Sequence, residues 1–315
     1  MHDVILIVLG LFGLILAGDL LVRGSVAIAW AAGLSPMVIG LTLVGFGTSA
    51  PELMTSLQAA AAGSPGIAIG NVIGSNIGNI LLILGLAAAM GVILVDRAAL
   101  RRDGTTLAVA SLAVLAVFLT GEMTRGTGVV LFLALAAYLA YTLITERRRT
   151  AAAAVYTREA ELPAPLSTPK ALVFTVAGLV GTILSAKVLV SGGIGIAQAA
   201  GLSESLIGLT LIAVGTSMPE LATSVVAMRR GQGDVALGNI IGSNIFNLLG
   251  ILGITAMVQP LTVPSEIVRF DIWIMLAATA ALVVFAVTGA RITRIEGLVL
   301  LVGYAGYLAV LSRSV

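Results

Sequence analysis

Two glutamates in this chain stand where carboxylates are costly. Glu52 lies in GTSAPEL at 47–53 and Glu220 in GTSMPEL at 215–221, each within a long apolar stretch. An ionised carboxylate at mid-membrane costs at least ~2.5–3.5 kcal/mol, so it needs a partner. No lysine or arginine is repeated beside the two acids. The natural counter-charge is a cation that comes and goes.

The neighbouring residues offer oxygen. Pro51 has no N–H, so the carbonyl of Gly47, four residues back, loses its intrahelical donor, and Pro219 does the same to Gly215. Freed carbonyls at membrane depth are tolerated where they line a cavity or bind an ion. Thr48 and Glu52 are spaced i, i+4 on one helix face with Ser49 adjacent, and Thr216, Ser217 and Glu220 repeat the set. Further on, Asn71, Ser75 and Asn79 form a stripe at i, i+4, i+8, matched by Asn239, Ser243 and Asn247. These are hard donors, suited to Ca²⁺ and Na⁺; Zn²⁺ or Cu⁺ would want imidazole or thiolate, and Mg²⁺ gives up its waters reluctantly. Two ionised glutamates neutralise one divalent cation.

Composition sets the solvent for this chemistry. Hydrophobic residues make up 59% and charged residues 10% of the 315, with mean hydropathy +1.12. That is far from a soluble domain and predicts a polytopic membrane bundle. With no cysteine and only His2 as histidine, thiol chemistry and relay hydrolysis are excluded and no enzyme or cofactor is expected. The net charge of +2 gives no footing for a nucleic-acid partner. The run from Val4 lacks a basic leader and continues to Ala32, so it reads as a first membrane helix.

Breaks at Gly, Pro and charge clusters give ten expected spans: 4–32, 36–62, 66–90, 105–121, 127–145, 170–198, 203–228, 234–258, 270–288 and 294–311. Residues 40–85 and 208–253 are identical at 27 of 46 positions at a constant offset of 168. The chain thus divides into a first repeat (1–145), a cytoplasmic linker (146–169) and a second repeat (170–315). Five spans per repeat is odd, so the second enters the membrane from the opposite side, as in secondary transporters. Loops after spans 3, 5, 7 and 9 carry twelve Lys or Arg, including Arg147 to Arg149, against three on the other side. Both termini are therefore expected outside the cytoplasm.

GTSxPEL followed by GNxxGSNxxN, twice, resembles the two α-repeats of the Ca²⁺/cation antiporter superfamily, most nearly its prokaryotic sodium/calcium exchangers. The resemblance spans essentially the whole chain. It implies an all-α integral membrane protein of ten transmembrane helices in two inverted five-helix repeats, in a prokaryotic inner membrane. It also implies a Ca²⁺ site of Glu52 and Glu220 with the carbonyls of Thr48 and Thr216. Na⁺ sites would use Ser49, Ser75, Ser217 and Ser243 with carbonyls near Gly45 and Ala213, with Asn79 and Asn247 central. Some family members, including potassium-dependent exchangers, have aspartate where this chain has Asn247, which weakens a K⁺-coupled reading.

The expected function is Na⁺/Ca²⁺ antiport by alternating access, with Ca²⁺ and Na⁺ as transported ions and the bilayer as surroundings. Ca²⁺/H⁺ exchange is the alternative, with protons replacing Na⁺ on the glutamates. A non-transporting cation sensor or scaffold is a different class, and no obligatory protein partner is evident. Asn71, Asn76, Asn239 and Asn244 read as braces for the broken helices. Asp19 and Arg23, spaced i, i+4, read as a local ion pair.

Overall fold

The structure, a computed structural model, describes residues 2–154, 166–199 and 213–314. Its helices are α1 (His2–Ala32), α2 (Pro36–Thr48), α3 (Ala50–Ala61), α4 (Pro65–Met90), α5 (Arg97–Phe118) and α6 (Arg125–Ala154). They continue with α7 (Thr168–Ala199), α8 (Ala213–Thr216), α9 (Met218–Arg229), α10 (Gly233–Val258), α11 (Ile267–Gly289) and α12 (Arg294–Ser314). Among the described residues, seven helices are long and apolar enough to cross a bilayer, or eight when α2 and α3 count as one broken span. Two expected spans remain. α5 carries Arg101, Arg102 and Asp103 near its start, and residues 203–212, ahead of α8, lie outside the described residues.

Two helix ends differ from expectation for local reasons. α5 begins eight residues before the expected 105, because Asp96 caps it: its Oδ1 accepts from Ala98 N at 2.7 Å and Ala99 N at 3.0 Å. α6 runs past 145 to Ala154 through alanines that favour helix, so the 146–169 connection starts as helix.

Packing divides the chain into two compact units, Met1–Thr48 with Ala140–Asn239, and Ser49–Leu139 with Ile240–Val315. Each unit draws on both sequence repeats. In the first, α1 and α7 lie antiparallel along most of their length, with Gly24 at Thr175 and Gly178 at Leu21. A Cβ on Gly178 would sit 2.7 Å from the Leu21 Cα and 2.8 Å from the Ala17 carbonyl. Small residues let membrane helices approach this closely. Asp19 of α1 pairs with Arg230, just beyond α9, and more loosely with Arg23 at 3.8 Å. The expected local pair is thus the weaker arm of a three-residue ion cluster.

In the second unit, α4 packs on α3 and α12, and α5 on α11. Four two-residue strands tie its loops together. β1 (Ile93–Leu94) pairs antiparallel with β4 (Arg291–Ile292), and β2 (Glu122–Met123) with β3 (Leu261–Thr262). β1 and β4 follow the third and ninth spans, both odd; β2 and β3 follow the fourth and eighth, both even. Loops meet only on one side of a membrane, and alternate crossing by ten spans puts each pair together.

Candidate cation site

The sequence-chosen residues fall in both units. Gly45, Thr48, Ala213, Thr216, Ser217 and Glu220 belong to the first, and Ser49, Glu52, Ser75, Asn79, Ser243 and Asn247 to the second.

In the second unit the helix breaks at Ser49, whose φ of −81° and ψ of 8° lie in the sparsely populated bridge region. α3 restarts with Ala50, Pro51 and Glu52, which puts the carboxylate in a helical first turn. There backbone N–H groups lack intrahelical acceptors and favour negative charge. Glu52 is only 1% exposed. Asn71, on α4, holds this turn from the side: its Nδ2 donates to the Glu52 carbonyl at 3.1 Å and to Ser56 Oγ at 3.0 Å. Ser56 in turn donates to the Ala68 carbonyl at 3.2 Å.

The first unit builds the same clasp. Ser217 has φ −88° and ψ 8°, and Met218, Pro219 and Glu220 open α9. Asn239 Nδ2 donates to the Glu220 carbonyl at 3.2 Å and to Ser224 Oγ at 3.0 Å. Each of these groups lies 168 residues beyond its counterpart. Asn71 and Asn239 are therefore braces, as their positions predicted. Asn239 has a second task. The Thr48 hydroxyl lies 3.3 Å from Asn239 Oδ1 and 3.3 Å from the Gly45 carbonyl, and its one proton can serve either. Thr48 and Glu220 are buried, whereas Thr216 and Ser217 are half-buried. Ala213 is the first residue of α8.

Ser75, Asn79, Ser243 and Asn247 are all buried in the second unit. Asn79 Nδ2 donates to Asn244 Oδ1 at 3.0 Å. Neither amide atom of Asn247 has a hydrogen-bond partner among the described residues. Leaving such a group buried without a partner costs about 1–3 kcal/mol, so it marks a place where a ligand has something to gain. Both asparagines sit at wide π-type turns, Asn79–Leu84 in α4 and Phe246–Ile251 in α10, one residue out of repeat register. Such turns are rare and concentrate at functional sites. Among the described residues no three carboxylate, imidazole or thiol side chains gather. A cation bound by these residues would be held largely by neutral oxygens.

Sequence reasoning passed over one duplicated pair. In the second unit Tyr138 donates to Asp103 Oδ1 at 2.9 Å, and Tyr307 donates to Asp271 Oδ1 at 2.9 Å. Asp103 is fully buried and also receives Arg102 through Nε at 2.6 Å and Nη2 at 2.9 Å. The two aspartates obey the offset of 168, whereas Tyr138 aligns with Gly306, one residue short of Tyr307. The repeat register was the available signal.

Residues 2–144 and 170–313 match the sodium/calcium exchanger protein family. The sodium/calcium exchanger MaX1 of Methanosarcina acetivorans is 34% identical, over 98% of this chain and 97% of its own. The inner membrane protein YrbG of Escherichia coli is 36% identical over 81% of this chain and 79% of its own. Among solved structures, the sodium-calcium exchanger NCX_Mj soaked with Na⁺ and Sr²⁺ superposes with a TM-score of 0.84 at 34% identity, covering 98% of this chain and 99% of that one. The chain belongs to the sodium/calcium exchanger family, in its prokaryotic branch, as an all-α multi-pass membrane protein of two inverted five-helix repeats.

Proposed function

We propose that the protein is a secondary antiporter that exchanges Na⁺ for Ca²⁺ by alternating access, with net Ca²⁺ extrusion that moves charge. The observation that carries this reading is the doubled clasp. Two buried glutamates each open a broken helix, and each is braced by a repeat-related asparagine. Exchange requires competition for one charged centre. One Ca²⁺, or several Na⁺, neutralise Glu52 and Glu220, whereas the bare pair is costly to seal from water. Switching is then favoured only when ions are aboard, which couples the two fluxes.

In this reading Glu52 and Glu220 hold Ca²⁺ with the carbonyls of Thr48 and Thr216. Ser49, Ser75, Ser217 and Ser243, with carbonyls near Gly45 and Ala213, serve Na⁺. Asn79 and Asn247 are neutral ligands between them. With two carboxylates and no central aspartate, three Na⁺ against one Ca²⁺ leave one net positive charge per cycle. The protein would lie in a prokaryotic inner membrane with both termini outside the cytoplasm, as the arginine distribution favours. Reconstitution into Na⁺-loaded vesicles tests this: ⁴⁵Ca²⁺ should enter only while an outward Na⁺ gradient exists. Uptake driven by a pH gradient and indifferent to Na⁺ would establish Ca²⁺/H⁺ exchange instead.

A further inference from the structure

Four asparagines related by the repeat, Asn76, Asn79, Asn244 and Asn247, are buried in the second unit, and they are not used alike. Asn79 gives its amide N–H to Asn244 Oδ1 at 3.0 Å. Asn79 Oδ1 then has no hydrogen-bond partner among the described residues, and neither has Asn244 Nδ2. The repeat-equivalent contact would join Asn247 to Asn76. Instead Asn76 Nδ2 donates to the Val72 carbonyl of its own helix at 2.8 Å, and its Oδ1, like that of Asn79, has no hydrogen-bond partner among the described residues.

An asparagine side chain is a cation ligand through its oxygen only, because its amide hydrogens repel positive charge. Which end of the Asn79 amide faces a cation is therefore decided by what holds the other end. We propose that Asn244 is a positioning residue for Asn79. By accepting its N–H, Asn244 turns the Asn79 oxygen toward the transported ion. Rotating Asn79 by half a turn would break that bond and set two oxygens face to face. This inference rests on the reading of Asn79 as an ion ligand, and it adds a residue that touches no ion itself.

A double-mutant cycle separates positioning from packing, because residues that act through one another are non-additive. Half-saturating Ca²⁺ and Na⁺ are measured for exchange in proteoliposomes with Asn79→Ala, Asn244→Ala and the double variant. Asn79→Ala should weaken at least one ion, and Asn244→Ala should weaken the same ion by about threefold to tenfold, the scale of one net hydrogen bond. In the Asn79→Ala background, Asn244→Ala should then change that value by less than about twofold. Asn244→Leu, similar in size and without an acceptor, repeats the test if alanine impairs folding. If Asn79→Ala weakens neither ion, the ligand reading falls and the inference with it. If Asn79→Ala weakens an ion that Asn244→Ala leaves alone, the positioning role is overturned while the ligand reading stands. The positioning role is likewise overturned if Asn244→Ala acts equally in both backgrounds.

Discussion

At the scale of single residues, charge and hydrogen-bond capacity decide what each side chain can do. Glu52→Gln and Glu220→Gln keep volume and remove charge, so Ca²⁺ exchange should fall to background while folding persists. Near-normal ⁴⁵Ca²⁺ flux in either variant would remove these residues from the site. Asn247→Asp adds a carboxylate where a buried amide has no partner among the described residues. It should alter the Na⁺ or proton dependence of exchange with the fold intact, read from flux against Na⁺ and pH. Asn71→Ala strips two hydrogen bonds from the Glu52 turn and leaves Ser56 one partner short. A cost of about 1–3 kcal/mol is expected, seen as a lower melting midpoint in detergent. Much at this scale was legible in the sequence. An acid beside a proline and hydroxyls, duplicated, points to cation chemistry. Of the four asparagines expected as braces, Asn71 and Asn239 hold the broken helices, whereas Asn76 bonds its own helix at Val72 and Asn244 accepts from Asn79. The tyrosine partners of Asp103 and Asp271 were not legible, because Asp103 sits beside arginines that read as a loop and the tyrosines are a residue out of register.

At the scale of elements, apolar length placed the helices well, and charge misled at one end. Arg97 to Asp103 looked like a connection, but Asp96 starts a helix through them. Strands of two residues lie below any periodicity that a sequence can display, and a π-type turn leaves no distinct residue pattern. The close contact of α1 and α7 rests on their glycines, with Gly24 at Thr175 and Gly178 at Leu21. Gly178→Val should test it: a side chain there collides with the backbone of Leu21 and Ala17. Overpacking of this kind costs about 1–3 kcal/mol. The melting midpoint should drop and exchange should slow, and unchanged values for both would mean the helices can part freely. By contrast, the Asp19 cluster is partly exposed, with the Asp19 side chain 32% accessible. Asp19→Asn should therefore shift stability by no more than about 1 kcal/mol.

At the scale of the whole molecule, the repeat is the fact from which the rest follows. It predicted ten spans and opposite entry of the two halves, and family membership and the match to a solved exchanger bear that fold out. It did not predict that packing would cut across it, because compact units are set by which helix faces meet rather than by sequence ancestry. On the proposed function, exchange through two carboxylates that accept either one Ca²⁺ or three Na⁺ would move one net positive charge with the Na⁺. The direct test is ⁴⁵Ca²⁺ uptake into Na⁺-loaded proteoliposomes with the membrane potential clamped and then varied. Uptake should require the outward Na⁺ gradient, quicken when the interior is made positive and slow when it is made negative. Uptake that ignores Na⁺ and follows a pH gradient, or that ignores the membrane potential, would contradict electrogenic Na⁺/Ca²⁺ exchange.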